Sequence, residues 1–465
     1  MLIDRSRSPS QLPWLGRCVA RGQGLHDPGH REFPLSVDYC IFSAYIAWNL
    51  NSAAIISHVL VLVVHHVQTS CMSNRPLAPI TMAIHTQRPT LPSRPVSSPI
   101  FQTTTFAIPT AADLSRVAVE VSTPGFYTRH GNPNHAELAD AVATLEGAER
   151  GLVFGSGMAA LTTAVLALVR SGDHVVVQKS MYGGSLSLVQ TLLPRLGIAF
   201  TLVDQTDVSA WEHAVTPATR LFLIESPSNP RLEITDIAAV ASIARERGIV
   251  TLVDNTFASP VNQRPIGLGA DLVWHSATKY LAGHSDASAG VVVGSSNLIE
   301  SIWNMSLTVG AVLGPFDAWL VTRGIRTLHL RVERHNSTGA AVAAHLSQRA
   351  EVIGVHYPGL GTHPSHVIAA RQMGGFGGVV SFELRGGFAA AARTIERLQL
   401  FQLSASLGSV ESLAVHPASM WGAVLSDEEV VAAGLQPGLV RLSCGMEDPS
   451  DLIDDLDGAL DALAQ

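Results

Sequence analysis

The chain runs to 465 residues, too many for one ordinary core, and its 47% hydrophobic content fits two buried interiors plus an appendage. A net charge of −8 with only 15% charged residues describes a compact acidic protein and argues against a nucleic-acid-binding surface. The four cysteines, Cys18, Cys40, Cys71 and Cys444, have no short paired spacing, so neither a zinc site nor a disulfide framework is indicated and a reducing, cytoplasmic compartment fits best.

The N-terminal stretch differs from everything after it. Residues 1–38 are rich in Arg, Pro, Gly and Ser, and Tyr39–Val67 is a largely apolar run containing VLVLVV. A membrane span needs ~20 predominantly apolar residues, but Asn49, Asn51, His58, His65 and His66 interrupt or flank this run. It also begins too late for a simple secretory signal. Residues 1–81 are therefore expected to be an extension outside the working protein, with Met72 or Met82 as alternative starts and a membrane partner disfavoured. The proline-rich segment from Asn74 to Pro99 reads as a linker, and residues 82–134 as an arm leading into a large domain over 135–335.

From residue 135 short apolar runs alternate with helical periodicity, the pattern of an α/β domain with a mostly parallel sheet. Strands are expected at 151–154, 174–178, 221–225, 250–254 and 272–276, with crossover helices over Ala159–Val169, Leu186–Leu196 and Ile237–Arg247. Glu225, Asp254 and Ser276 end their strands, and ligand crevices in open parallel sheets lie just beyond such ends. An amphipathic stretch, Ala318–His335, leads to a smaller C-terminal α+β domain over 336–465, with strands at Gly378–Leu384 and Leu439–Ser443.

The chemistry starts at HSATKYLAGHSD, residues 275–286. Lysine occurs only at Lys179 and Lys279, so a lysine following a buried strand, with hydroxyls at Ser276 and Thr278, is poorly explained as surface decoration. It suits a cofactor-bearing amine. Asp254 could hold a protonated ring nitrogen, or could merely be turn chemistry after a strand. In FGSGMAALTTAV, residues 154–165, glycines precede a helix whose first amides lack partners and could bind an anion.

Eight segments in order, YTRHGNPN (127–134), SGMAA (156–160), MYGG (181–184), ESPSNP (225–230), VDNTFASP (253–260), SATKYLAGHSD (276–286), SLGSVESL (406–413) and RLSCGMED (441–448), resemble the Cys/Met-metabolism pyridoxal-phosphate (PLP) enzymes. That family comprises cystathionine γ-synthase, γ-lyase and β-lyase with methionine γ-lyase-like members, and the resemblance runs from about Ile100 to the C-terminus. It implies the fold type I of PLP-dependent transferases and the cofactor pyridoxal 5'-phosphate. It further implies that Lys279 carries the cofactor and moves protons, that Asp254 pairs with the ring nitrogen, and that Tyr182 stacks on the ring and assists proton transfer. Gly157, Met158, Ser276 and Thr278 would hold the phosphate, and Asn229 would lie near the phenolic oxygen. Tyr127 and Arg129 would reach the phosphate of a neighbouring subunit, making a dimer obligatory and a tetramer usual. Arg441 would grip the substrate α-carboxylate, with Ser406 beside it. No metal is implied.

Some positions depart from the family pattern. Gly184 stands where methionine γ-lyase-like members carry cysteine, and Ser185-Leu186-Ser187 where several relatives carry an arginine near the distal end of the substrate. Leu407 is unlike the bacterial β-lyases, Trp421 and Gly422 alter the usual continuation of HPASM, and Cys444 reads as packing. The expected activity is γ-elimination or γ-replacement on cystathionine-like or O-acylhomoserine substrates. Methionine γ-lyase or sulfhydrylase activity is the near alternative, and a fold-type I aminotransferase the distant one.

Overall fold

Seven strands form the central sheet: β1 (Arg150–Phe154), β2 (His174–Gln178), β3 (Ala199–Val203), β4 (Thr219–Glu225), β5 (Val250–Asp254), β6 (Leu272–Ser276) and β7 (Gly290–Gly294). The structure is a computed structural model that describes residues 78, 81, 84–85, 95–421 and 436–463; residues 1–38, the apolar run Tyr39–Val67 and Gly422 lie outside the described residues. The strand order is β1-β7-β6-β5-β4-β2-β3, and every pairing is parallel except those made by β7.

The apolar composition of the strands follows from burial on both faces. All five residues of β2 are buried, and along β5 Leu252 joins one core cluster while Val253 joins another on the opposite face. The helices Gly157–Leu168 and Ser296–Val309 cover one side; Pro133–Glu146 and Pro315–Ile325 cover the other at the β7 end.

Two strands of this central sheet were not legible in the sequence. β3 is an edge strand and partly exposed, so it lacks the continuous apolar signature. β7, GVVVG, runs antiparallel because the segment joining it to β6 carries turns and no crossover helix, which a parallel return requires. The expected helix over Leu186–Leu196 instead begins at Gly183 and widens to a π turn over Leu188–Leu192 before Pro194, which has no N–H to offer the preceding turn. The amphipathic stretch Ala318–His335 is split between Pro315–Ile325 and the long helix Leu328–Leu346.

A second sheet follows, with β8 (Val352–His356), β9 (Val379–Leu384), β10 (Gln402–Leu403), β11 (Leu413–Val415) and β12 (Leu439–Ser443) in the order β10-β11-β12-β9-β8. Only β10 and β11 pair in parallel. Leu328–Leu346 and Pro449–Asp461 contribute to its core, which includes Cys444; burial pushes that thiol up and leaves it a packing group. Among the described residues no helix is long and apolar enough to cross a membrane.

Candidate active site

The site collects at the carboxyl ends of β4, β5 and β6. Lys279 sits on the turn after β6, where its N–H donates to the Ser276 carbonyl at 3.2 Å and its own carbonyl accepts from Gly283 at 2.8 Å. Its Nζ donates to Ser406 Oγ at 2.7 Å, and no carboxylate pairs with it among the described residues. Burial, and then the nearby Arg441, lower the amine to about 8. An amine so poised is neutral often enough near physiological pH to act as nucleophile and base. Lys179, by contrast, is exposed at the end of β2, without an ion pair among the described residues.

Two carboxylates end the next two strands on one side of β6. Glu225 and Asp254 are register partners on β4 and β5, and both are buried. Asp254 Oδ1 accepts the Thr256 N–H at 2.9 Å, while burial raises its carboxyl against that bond. Arg441 enters from β12 of the second sheet. It donates to Asn229 Oδ1 at 2.8 Å and to the Ser406 carbonyl at 2.9 Å, and its buried Nε has no partner among the described residues. Burial lowers the guanidinium to about 10, still cationic at neutral pH. A buried guanidinium with donors to spare has the chemistry to take a carboxylate in a bidentate grip.

Ser406 has φ 95°, a conformation that side-chain-bearing residues rarely adopt. Its loop is held from several sides: the Gly408 N–H donates to Ser443 Oγ at 2.9 Å, the Val410 N–H to the Gly283 carbonyl at 3.0 Å, and the Ser412 N–H to Glu447 Oε1 at 2.6 Å. The surroundings thus impose the backbone that brings Ser406 to both Lys279 and Arg441.

The helix Gly157–Leu168 has a start suited to an anion, its N-cap Ser156 accepting only the Ala159 N–H through its side chain. A Cβ on Gly157 would lie 2.8 Å from Ser276 Cβ, so only glycine lets the helix start approach β6 this closely. Ser276 is thereby set beside the free amides of Gly157 and Met158. Thr278 is engaged locally, its hydroxyl accepting the Ala289 N–H at 3.1 Å. At Gly184 an added Cβ would lie 2.5 Å from Tyr182 Cε1 and 3.0 Å from Met158 Sδ, so Tyr182 and Met158 share one wall. Tyr182 is 48% exposed.

Tyr127 and Arg129 are placed elsewhere. Both are exposed, Arg129 donates to the Leu307 carbonyl at 3.0 Å, and its guanidinium lies 5.5 Å from the centre of the Tyr127 ring. Among the described residues neither hydrogen-bonds to Lys279, Asp254, Ser276 or Arg441. Of the expected site residues, the structure therefore brings Lys279, Ser406, Arg441 and Asn229 into direct contact. It sets Gly157 against Ser276, places Asp254 one strand away, and leaves Tyr127 and Arg129 outside. Thr256, whose hydroxyl accepts the Ser276 N–H at 2.9 Å, carried no signal in the sequence beyond its place after a strand.

These residues fit PLP. The Gly157–Ser276 approach forms a cradle at a helix N-terminus, Lys279 is an amine without a counter-ion among the described residues, and Asp254 is a carboxylate at a strand end. Lys279 would hold the aldehyde, Asp254 the ring nitrogen, and Gly157, Met158 and Ser276 the phosphate.

The fold, with an amine, a strand-end carboxylate and a glycine cradle at one end of the sheet, suits an α/β enzyme that works through a phosphorylated cofactor. The chain belongs to the Cys/Met metabolism PLP-dependent enzyme family, whose model matches residues 80–461. It is 45% identical over 368 residues to an L-methionine γ-lyase of Pseudomonas putida, covering 79% of this chain and 92% of that protein. A cystathionine γ-synthase of Mycobacterium bovis is 43% identical over 385 residues, with 82% and 96% covered. Among solved structures, cystathionine γ-synthase from Xanthomonas oryzae pv. oryzae in complex with cystathionine superposes with a TM-score of 0.78 at 40% identity, covering 83% of this chain and 98% of that one.

Proposed function

We propose that the chain catalyses γ-elimination or γ-replacement on cystathionine-like or O-acylhomoserine substrates in the cytoplasm. The observation that carries this reading is the contact between Lys279, Ser406 and Arg441, which puts a base beside a carboxylate receptor. Arg441 binds the substrate α-carboxylate, with Asn229 and the Ser406 carbonyl fixing the plane of the guanidinium. That grip orients the α-carbon toward Lys279 Nζ, which removes and returns the proton, and the Ser406 hydroxyl aims the amine. Tyr182, at the cleft wall, is the second proton carrier. PLP, when bound, supplies the electron sink that makes the α-proton removable.

Methionine γ-lyase activity is the nearest second reading. It is favoured by Ser185-Leu186-Ser187, a stretch after Tyr182 without a charged group to grip a distal carboxylate, and by the similarity to the Pseudomonas putida enzyme. A substrate panel tests both readings. Cystathionine, methionine, homocysteine and O-acylhomoserine, with and without added thiol, are followed for ammonia, keto acid and thioether. Keto-acid formation without ammonia or thiol release would point to an aminotransferase instead.

Tyr127 and Arg129 are proposed to complete the site of a neighbouring subunit, so that the working unit is at least a dimer. Residues 1–81 are proposed to be dispensable, 82–134 to be the arm, and 135–335 and 336–465 the large and small domains. Removing residues 1–81 is expected to leave a folded, yellow, PLP-bound enzyme, because every proposed cofactor contact lies downstream. Loss of soluble yellow protein on this truncation overturns that part of the proposal.

A further inference from the structure

Glu225 is a buried ionisable group that the mechanism leaves unused. Glu225 ends β4, is 2% exposed, and has no cationic side chain in ion-pair contact among the described residues. Its two oxygens are nevertheless both occupied. Oε2 accepts the N–H of Tyr182 at 2.8 Å, and Oε1 accepts the N–H of Asn229 at 2.8 Å. Tyr182 follows β2 and Asn229 follows β4, so one carboxylate joins the loops at the ends of two neighbouring strands.

The backbone of Glu225 is fixed as well. The Gln178 carboxamide on β2 donates to the Glu225 carbonyl at 2.9 Å and accepts the Glu225 N–H at 2.8 Å, locking the register of the two strand ends. Downstream, the Asn229 side chain accepts from Arg441 at 2.8 Å. A chain of hydrogen bonds thus runs from the strand ends to the guanidinium proposed to hold the substrate.

We infer that Glu225 is a positioning residue, a staple that sets both the cleft wall at Tyr182 and the seat of Arg441 at Asn229. The inference rests on the proposed roles of Tyr182 and Arg441. Charge-assisted bonds from two amides to one ionised carboxylate are short, directional and stronger than neutral ones. They also explain how a carboxyl group is kept beside Asp254 in the interior. Burial and then Asp254 raise Glu225 well above the usual carboxylate range on balance, and the amides of Tyr182 and Asn229 and the charge of Arg441 oppose that rise without cancelling it. The ionised form follows from the geometry, since both oxygens accept an N–H. Glutamine at this position has the same shape but turns an NH2 toward one of the two amides, so at most one of the two bonds survives. Aspartate keeps the charge but is one methylene too short to reach both.

The test is amide hydrogen exchange on the protein stripped of cofactor, read on peptides containing Tyr182 and Asn229, with the Thr256 peptide as control, in wild type, Glu225→Gln and Glu225→Asp. Both amides are expected to be slow in wild type, and at least one to exchange about tenfold or more faster in each variant, while the control stays unchanged. In the loaded enzyme KM is expected to rise by about tenfold, more than kcat falls, because the substrate receptor is misaligned before the base is. Uniformly faster exchange in all peptides, or unchanged exchange at Tyr182 and Asn229, overturns the inference by reducing Glu225 to a packing residue. So does altered exchange with unaltered KM and kcat. If neither variant folds, free exchange of either amide in wild type overturns it, and slow exchange of both supports it. A wild-type enzyme inactive on every substrate of the panel would sink the proposed function instead, without touching the exchange result.

Discussion

Lys279→Ala is expected to abolish covalent attachment of PLP and to lower turnover by roughly a thousandfold or more, because one amine both holds the cofactor and moves the proton. The structure makes the contrast with Lys179 sharp. Lys279 Nζ is partly buried, has no counter-ion among the described residues, and is lowered to about 8 by burial and Arg441. Lys179 is exposed with no ion pair among the described residues, so Lys179→Ala should change stability by no more than ~0.5 kcal/mol and leave cofactor attachment intact. Borohydride reduction of the loaded protein followed by peptide mapping decides between them. Label is expected on the peptide containing Lys279; label on the Lys179 peptide, or on neither, overturns the site assignment. The pH sign is also fixed. Nζ must be neutral to attack an aldehyde, so the rate at which stripped protein captures added PLP should climb as pH rises through about 8 and then level off.

The parallel part of the fold was readable because burial on both faces writes an unbroken apolar run. HVVVQ, VTLVD and LVWHS occupy the spans expected of them, 174–178, 250–254 and 272–276. Where burial is one-sided or the connection is unusual the signal fails. AFTLV at the sheet edge alternates too weakly to stand out, and GVVVG is too short, between its glycines, to announce a strand that reverses direction. Helix ends were equally soft, since the turn at Gly183 and the π turn before Pro194 depend on tertiary contacts rather than on propensity.

Within the site, residues at strand ends could be suspected singly, but their contacts could not. Lys279 and Ser406 are 127 positions apart and Asn229 and Arg441 are 212 apart, and only the docking of the second sheet on the first brings them within hydrogen-bond distance. Glu225 was visible as a polar strand end, yet its office as a double amide acceptor depends on the backbone of two loops. Sequence patterning carries no record of such geometry. Resemblance assigned roles to side chains because families are recognised by side chains, and it passed over a residue whose partners are backbone amides.

The position of Tyr127 and Arg129 leads to the second large effect. Arg129 is exposed and spends one donor on the Leu307 carbonyl, leaving most of its guanidinium free, and it stands outside the cluster around Lys279 of its own chain. If it reaches a neighbouring subunit's phosphate, Arg129→Ala removes a charge-assisted contact worth about 1.5–3 kcal/mol, and cofactor affinity should fall by about ten- to a hundredfold. At limiting PLP this variant should be nearly inactive, as Lys279→Ala is at any concentration. Mixing the two should nevertheless restore activity. In a mixed dimer one site receives both wild-type residues and the other both defects, so with free subunit exchange at equal amounts about a quarter of all sites are rebuilt. Turnover should return toward that fraction as exchange proceeds, tracked by native mass spectrometry of differently tagged chains, and each parent alone should stay silent. Subunits that exchange freely without any return of activity would show that Arg129 and Lys279 serve the same chain's site, and with that the need for a shared active site would disappear.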